Sequence, residues 1–190
     1  MFFPNYLSNY SGNDVSNDAS NGTPWPATIP RVSGRPVRVV FRKTLLDGAG
    51  SPAHAATYLR QRRMVIEEAL MADPEDFARI FVHELFHFVW LRLGNVKRKS
   101  YERLLAGELG RRAGGELGWS AEWRKGKLAG GDRARRTRRW REYCCESFCD
   151  TAAWLYGGVA RHEEFTLAAP LRAARRKWFA RTGLDAGISI

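Results

Sequence analysis

Within His83-Glu84-Leu85-Phe86-His87 two imidazoles stand four residues apart, with a carboxylate directly after the first. On a helix that spacing turns both rings to one face, where they can grip a single metal ion. The glutamate is then placed to take a proton from a water. This is the HExxH zinc pattern, whose chemistry is metal-assisted hydrolysis. With four His and twelve Glu in 190 residues, the chance expectation for the pattern is on the order of 0.5%. Its surroundings add weight. Residues 80 to 91 are otherwise apolar (Ile80, Phe81, Val82, Leu85, Phe86, Phe88, Val89, Trp90, Leu91), and a helix apolar all round belongs in an interior. Three polar side chains buried there need partners. A metal ion satisfies them together. The competing reading makes His83 and His87 core histidines bonded to backbone carbonyls, with Glu84 paired to an arginine.

A catalytic zinc requires a third protein ligand and leaves its fourth position open. The second acidic feature is the segment Arg141 to Trp154, where Glu142, Glu146 and Asp150 recur every four residues among Cys, Phe, Ala and Trp. Carboxylates aligned on such a helix are oddly placed for solvent and well placed to face a dication. Glu146 and Glu142 are both candidates for the third ligand.

These residues resemble the gluzincin metallopeptidases, in which an HExxH helix is followed by a Glu-x-x-x-Asp helix. The matching positions are His83, Glu84, His87, Glu146 and Asp150. The resemblance implies His83, His87 and Glu146 as zinc ligands, Glu84 as general base and Asp150 as the acceptor that holds one histidine. It covers about half of the chain. The spacing departs from compact members, since 59 positions separate His87 from Glu146. The extended metzincin pattern does not fit, because Trp90 and Leu93 stand where its glycine and third histidine would be. The expected reaction is peptide-bond hydrolysis by a zinc-activated water. His162, Tyr143 and Tyr156 are candidate donors to the oxyanion. Cys144, Cys145 and Cys149 offer no CxxC spacing and read as small core residues. His54 carries no signal.

The elements that must position these groups follow from pattern and caps. VRVVFRK at 37 to 43 reads as a strand, and Ala55 to Arg60 with Arg63 to Glu68 as a hairpin. Asp73-Pro74-Glu75-Asp76 combines an N-cap, a first-turn proline and acids at the positive end of the dipole, so a helix begins there. It runs to Leu93, with Gly94 as its stop. Trp140 to Tyr156 is a second strong helix. A last amphipathic helix starts near Pro170, with Leu171, Ala174, Trp178 and Phe179 on one side. The expected fold class is α+β and zincin-like, with a small antiparallel or mixed sheet packed on an active-site helix and a second metal-ligand helix. The Asn- and Ser-rich residues 1–35 read as a disordered tail, and 36–190 as the metallopeptidase-like domain.

The net charge of +11 is concentrated. Residues 97–141 hold 15 Lys and Arg against 5 Asp and Glu, a surplus of ten. This stretch reads as a basic insertion, partly helical around Tyr101 to Leu109, with mobile loops. Its run Arg133-Ala-Arg-Arg-Thr-Arg-Arg-Trp-Arg141, with Trp119, Trp123 and Trp140 nearby, supports an alternative function: nucleic-acid binding, with or without protease activity. The same surface suits an acidic protein partner. A zinc site without hydrolysis is a third reading, which Glu84 beside the first histidine argues against. No apolar run is long enough to span a bilayer, and the opening MFFPNYLSNY lacks a basic n-region. Three clustered cysteines are no secreted disulfide framework. The expectation is a cytoplasmic enzyme acting on a protein or peptide.

Overall fold

The computed structural model describes residue 26, residues 28–48 and residues 50–190. It is a mixed α+β protein in which a small sheet lies against a set of helices. Strand β2 (Arg38–Arg42) pairs in parallel with β4 (Arg63–Glu67), and β3 (Ala55–Tyr58) pairs antiparallel with the other side of β4. The order β2-β4-β3 leaves β3 at an edge. The hairpin expected from sequence is present, closed by a 3-10 turn at Leu59–Gln61 and by Arg62 in the left-handed region (φ 48). Met64, Val65 and Ile66 are all buried, as befits a central strand covered on both faces.

Helix α1 (Pro74–Arg92) starts where its cap predicts, with the Asp73 carboxylate accepting from the N–H groups of Glu75 and Asp76 at 3.2 and 3.1 Å. Gly94 ends it as expected and, at φ +73, turns the chain straight into α2 (Gly94–Gly110). The second long helix, here α5 (Arg138–Tyr156), is capped by Thr137. It packs against α1 through Phe148, whose ring centre lies 5.8 Å from that of Phe86 and 5.1 Å from that of Trp90. Phe179 of α6 (Ala169–Arg181) stacks on Phe148 at 5.0 Å. Burying such rings dominates a core of this size, each truncation to Ala costing about 3–5 kcal/mol.

The basic stretch 97–141 differs from the loose insertion expected. Besides most of α2, it forms α3 (Trp119–Gly126) and α4 (Asp132–Arg135), and it places Tyr101, Leu105, Leu117 and Ala121 in the interior. Its acids explain why it folds. Glu108 and Glu116 are buried against the equally buried Arg175 of α6, with Nη2 to Glu108 Oε2 at 2.6 Å and Nη1 to Glu116 Oε2 at 2.7 Å. Glu102 pairs with Arg136 at 2.7 Å, Glu122 accepts from Thr166 at 2.9 Å, and Asp132 accepts from Thr137 at 2.7 Å. All five acids of the stretch are thus committed within the fold, and most of its cations are exposed, while Arg98, Arg124 and Lys125 are half-buried.

The domain also begins earlier than position 36. Thr28 bonds the Tyr156 carbonyl at 2.5 Å, Ile29 and Val32 pack on the core, and β1 (Val32–Ser33) pairs in parallel with β5 (Ile188–Ser189). Residues 1–25 and 27, the bulk of the expected tail, lie outside the described residues. Among the described residues, no helix is long and apolar enough to cross a membrane.

Candidate metal centre

Helix α1 packs against α5 and also contacts β3 and β4, and side chains four apart on its α5 face meet the acidic stripe of α5. His83 and His87 are the two such positions. His83 Nε2 lies 3.2 Å from Glu146 Oε2, and His87 Nε2 lies 4.0 Å from the same oxygen. Ligands held about 2.0 Å from a tetrahedral zinc sit roughly 3.3 Å from one another. The two observed separations lie to either side of that value, so Glu146 stands within ligand spacing of both rings. Among the described residues, ligand-capable atoms gather in two groups, His83 with Glu84 and His87, and His87 with Cys145 and Cys149.

Behind the rings stand further partners. His83 Nδ1 donates to Asp150 Oδ1 at 2.6 Å, and Asp150 Oδ2 accepts from the backbone N–H of Ala121 at 2.9 Å. Asp150 therefore orients a histidine and also satisfies the third amide of α3, whose N-cap Gly118 has no side chain to do so. Glu164 accepts from the first amide of α3, Trp119, at 2.7 Å. From α3, Arg124 places Nη2 3.2 Å from Glu146 Oε1. On the opposite side, Thr57 of edge strand β3 donates to Glu84 Oε2 at 2.5 Å. Four elements, α1, α3, α5 and β3, converge on one point.

No family model, curated protein or solved structure matches this chain.

The acids set the charge of the histidines. Burial alone would lower His83, but the charge and hydrogen bond of Asp150, then those of Glu146, outweigh it and raise the imidazole well above its usual value. Against the same burial His87 rises to about 9, through Cys145 and then Glu84 and Glu146. Glu146 moves the other way, to about 2, because His83, His87 and Arg124 overcome its burial. The Cys145 thiol is pulled down to about 6 by its bond from Cys149 and, against burial, by His87. A metal ion entering this group replaces protons on the rings, so its uptake weakens as pH falls.

The remaining candidates fall elsewhere. Glu142, one turn before Glu146, pairs with Arg138 at 2.6 Å on the exposed side of α5. Tyr143 donates to the buried Glu116 at 2.6 Å, and Tyr156 donates to Asp185. His162 is held by Asp76 at 3.2 Å and by the Glu164 N–H at 3.2 Å. All three expected oxyanion donors are thus bonded to groups outside the His83–His87–Glu146 cluster, whereas the cation beside Glu146 is Arg124. His54 pairs with Glu67 near the surface. Cys144 and Cys149 are buried as expected, yet Cys145 and Cys149 also face His87. Thr57, Arg124 and this thiol pair belong to no motif. The thiols alone left a trace in the sequence: each directly precedes one of the two acids, Glu146 and Asp150.

Proposed function

We propose that the chain is a zinc-dependent peptidase of the gluzincin kind, with a zincin-like arrangement of sheet, active-site helix and ligand helix. The observation that carries this reading is the convergence of His83 and His87 on one oxygen of Glu146, with Asp150 behind His83. His83, His87 and Glu146 would hold the ion. When bound, zinc supplies Lewis acidity toward a carbonyl and makes a water more acidic.

The chain's own residues divide the remaining work. Glu84 is fixed by Thr57 through one oxygen, so its carboxylate stays oriented while it accepts a proton from water and later returns it to the leaving amine. Arg124, tethered to Glu146, supplies positive charge where a tetrahedral oxyanion develops. Edge strand β3, which carries Thr57, offers backbone groups to an extended peptide. That geometry would lay the scissile bond beside Glu84. The substrate class is therefore a protein or peptide in extended conformation.

Zinc content and hydrolysis of an unfolded protein substrate, measured for wild type, Glu84→Gln and His83→Ala, test the reading. The expected result is one zinc per chain in wild type. Glu84→Gln keeps the zinc and loses activity by about 10²–10⁴-fold, and His83→Ala loses both. A wild type that takes up no zinc overturns the proposal.

A further inference from the structure

The far side of His87 carries a second donor set. Its Nδ1 lies 3.5 Å from Cys145 Sγ and 3.6 Å from Cys149 Sγ, and the three atoms all lie within 4.8 Å of one another. The two cysteines are one helical turn apart on α5, so a single backbone segment presents both sulfurs to the ring. Cys149 is fully buried and Cys145 is partly buried, which gives the cluster a dry floor and one accessible edge. An ion held about 2.0 Å from a nitrogen and about 2.3 Å from a sulfur, at tetrahedral angles, sets those atoms roughly 3.5 Å apart. Both observed separations match.

We propose that Cys145, Cys149 and His87 Nδ1 form a binding site for a thiophilic cation, cuprous ion being the type, which shares His87 with the His83–His87–Glu146 centre. Two sulfurs and one imidazole nitrogen make a soft donor set, which selects copper(I) over hard cations. The thiols release their protons as the sulfur–metal bonds form. Cys144 takes no part, since it is buried without being placed among the ligand group.

The site has a consequence for the first centre. A neutral imidazole has one nitrogen lone pair for a metal, and its other nitrogen carries a hydrogen. His87 serves zinc through Nε2 only when Nδ1 bears the proton, and in that state Nδ1–H points at the sulfurs. A cuprous ion on Nδ1 moves the proton to Nε2 and withdraws His87 from the zinc. The two ions therefore compete for one ring. This second clause rests on the zinc reading above, whereas binding of the thiophilic ion does not.

The test titrates full-length protein with Cu⁺ under anaerobic, reducing conditions against a chromogenic copper(I) chelator, with the ultraviolet thiolate-to-copper band as a second readout. Wild type, His83→Ala and Cys144→Ser are expected to bind one Cu⁺ each and show the band. Cys145→Ser, at the partly exposed position, and the Cys145→Ser/Cys149→Ser pair are expected to bind at least tenfold more weakly, with melting curves confirming that they fold. Absence of the band in wild type, or wild-type affinity in the double variant, overturns the site. Loss of the band in His83→Ala also overturns it, because His83 belongs only to the first centre. For the competition, one equivalent of Cu⁺ is expected to release zinc from zinc-loaded wild type but not from the double variant. Full zinc retention beside bound Cu⁺ overturns the shared ring while leaving the zinc centre standing.

Discussion

Asp150 Oδ1 stands 2.6 Å from His83 Nδ1, while the other oxygen of the same carboxylate holds the Ala121 amide at 2.9 Å. Both partners are donors, so an acceptor-only carboxylate satisfies both, and an amide cannot. In Asp150→Asn one N–H must face another in a buried place, where an unmade bond costs about 1–3 kcal/mol. The expected outcome is zinc affinity weakened about 10–100-fold, read by competition with a chelator, with helical content retained. Unchanged zinc affinity would remove Asp150 from its orienting role.

Gly118 offers a way to disturb that carboxylate from outside the ligand set. A Cβ at this position would come within 2.3 Å of Asp150 Cγ and 2.4 Å of its Oδ1. The backbone there is extended (φ 179), so the conflict is purely one of space. The Asp150 side chain cannot swing away without leaving His83 or Ala121. Gly118→Ala is expected to cost about 1–3 kcal/mol of stability, the usual range for overpacking, and to lower zinc affinity in parallel. A variant with a wild-type melting temperature and wild-type zinc affinity would contradict this packing.

How much of this was legible beforehand differs by residue. Helices α1 and α5 were, because Asp73-Pro74 marks a start and the HExxH and acidic stripe impose a local period of four. The β3–β4 hairpin was, because its partners adjoin in sequence. The β1–β5 pair was not: each strand is two residues long, and the partners lie at opposite ends of the described chain. Helices α3 and α4 hid behind glycines and surface cations, since the groups that anchor them come from other segments, Glu164 at the Trp119 amide of α3 and Glu102 at Arg136, the C-cap of α4. Arg175 sits among apolar residues of α6, where periodicity assigns no charge, and only its acids on the basic stretch make its burial tolerable. Arg124 and Thr57 approach the centre by tertiary packing alone.

The Arg175 cluster gives an acid limit to stability. Burial would raise the Glu116 carboxyl, but Arg175, then Lys125 and Tyr143, hold it below its ordinary value. A folded pKa below the unfolded one contributes stability that is complete above the unfolded value of about 4.3. It is lost as pH falls through the folded value. The Glu116 contribution, read as the difference in melting temperature between wild type and a Glu116 variant, should therefore stay constant from pH 7 to about pH 5 and shrink below that. Glu116→Gln leaves Arg175 partly unpaired in the interior, a loss of about 3–5 kcal/mol. At neutral pH this corresponds to roughly 6–20 °C in Tm, with a shallower decline in acid. An acid profile identical to that of wild type would sink the assignment.

The arginine run at 133–141 makes the alternative function measurable. Arg133 donates to the Ala106 carbonyl at 3.2 Å, Arg136 pairs with Glu102, Arg138 with Glu142, and Arg141 donates to the Arg136 carbonyl at 2.7 Å. Four of the six guanidinium groups in the run are thus engaged within the fold, where they close α4 and the start of α5. Arg136 and Arg138 are charge-paired there, and drawing Arg136 to a phosphate would strand the buried Glu102, whereas Arg133 and Arg141 bond neutral carbonyls and keep their charge. The four outside those ion pairs, Arg133, Arg135, Arg139 and Arg141, can neutralise about four phosphates, which gives a slope of log affinity against log salt of about −4 or shallower. Binding of duplex DNA measured across a salt series is expected to show that shallow slope, and Arg136→Ala to lower Tm more than it lowers DNA affinity. A slope near −5, as about six phosphate contacts would produce, would mean that the run opens toward nucleic acid and would bring the alternative function forward.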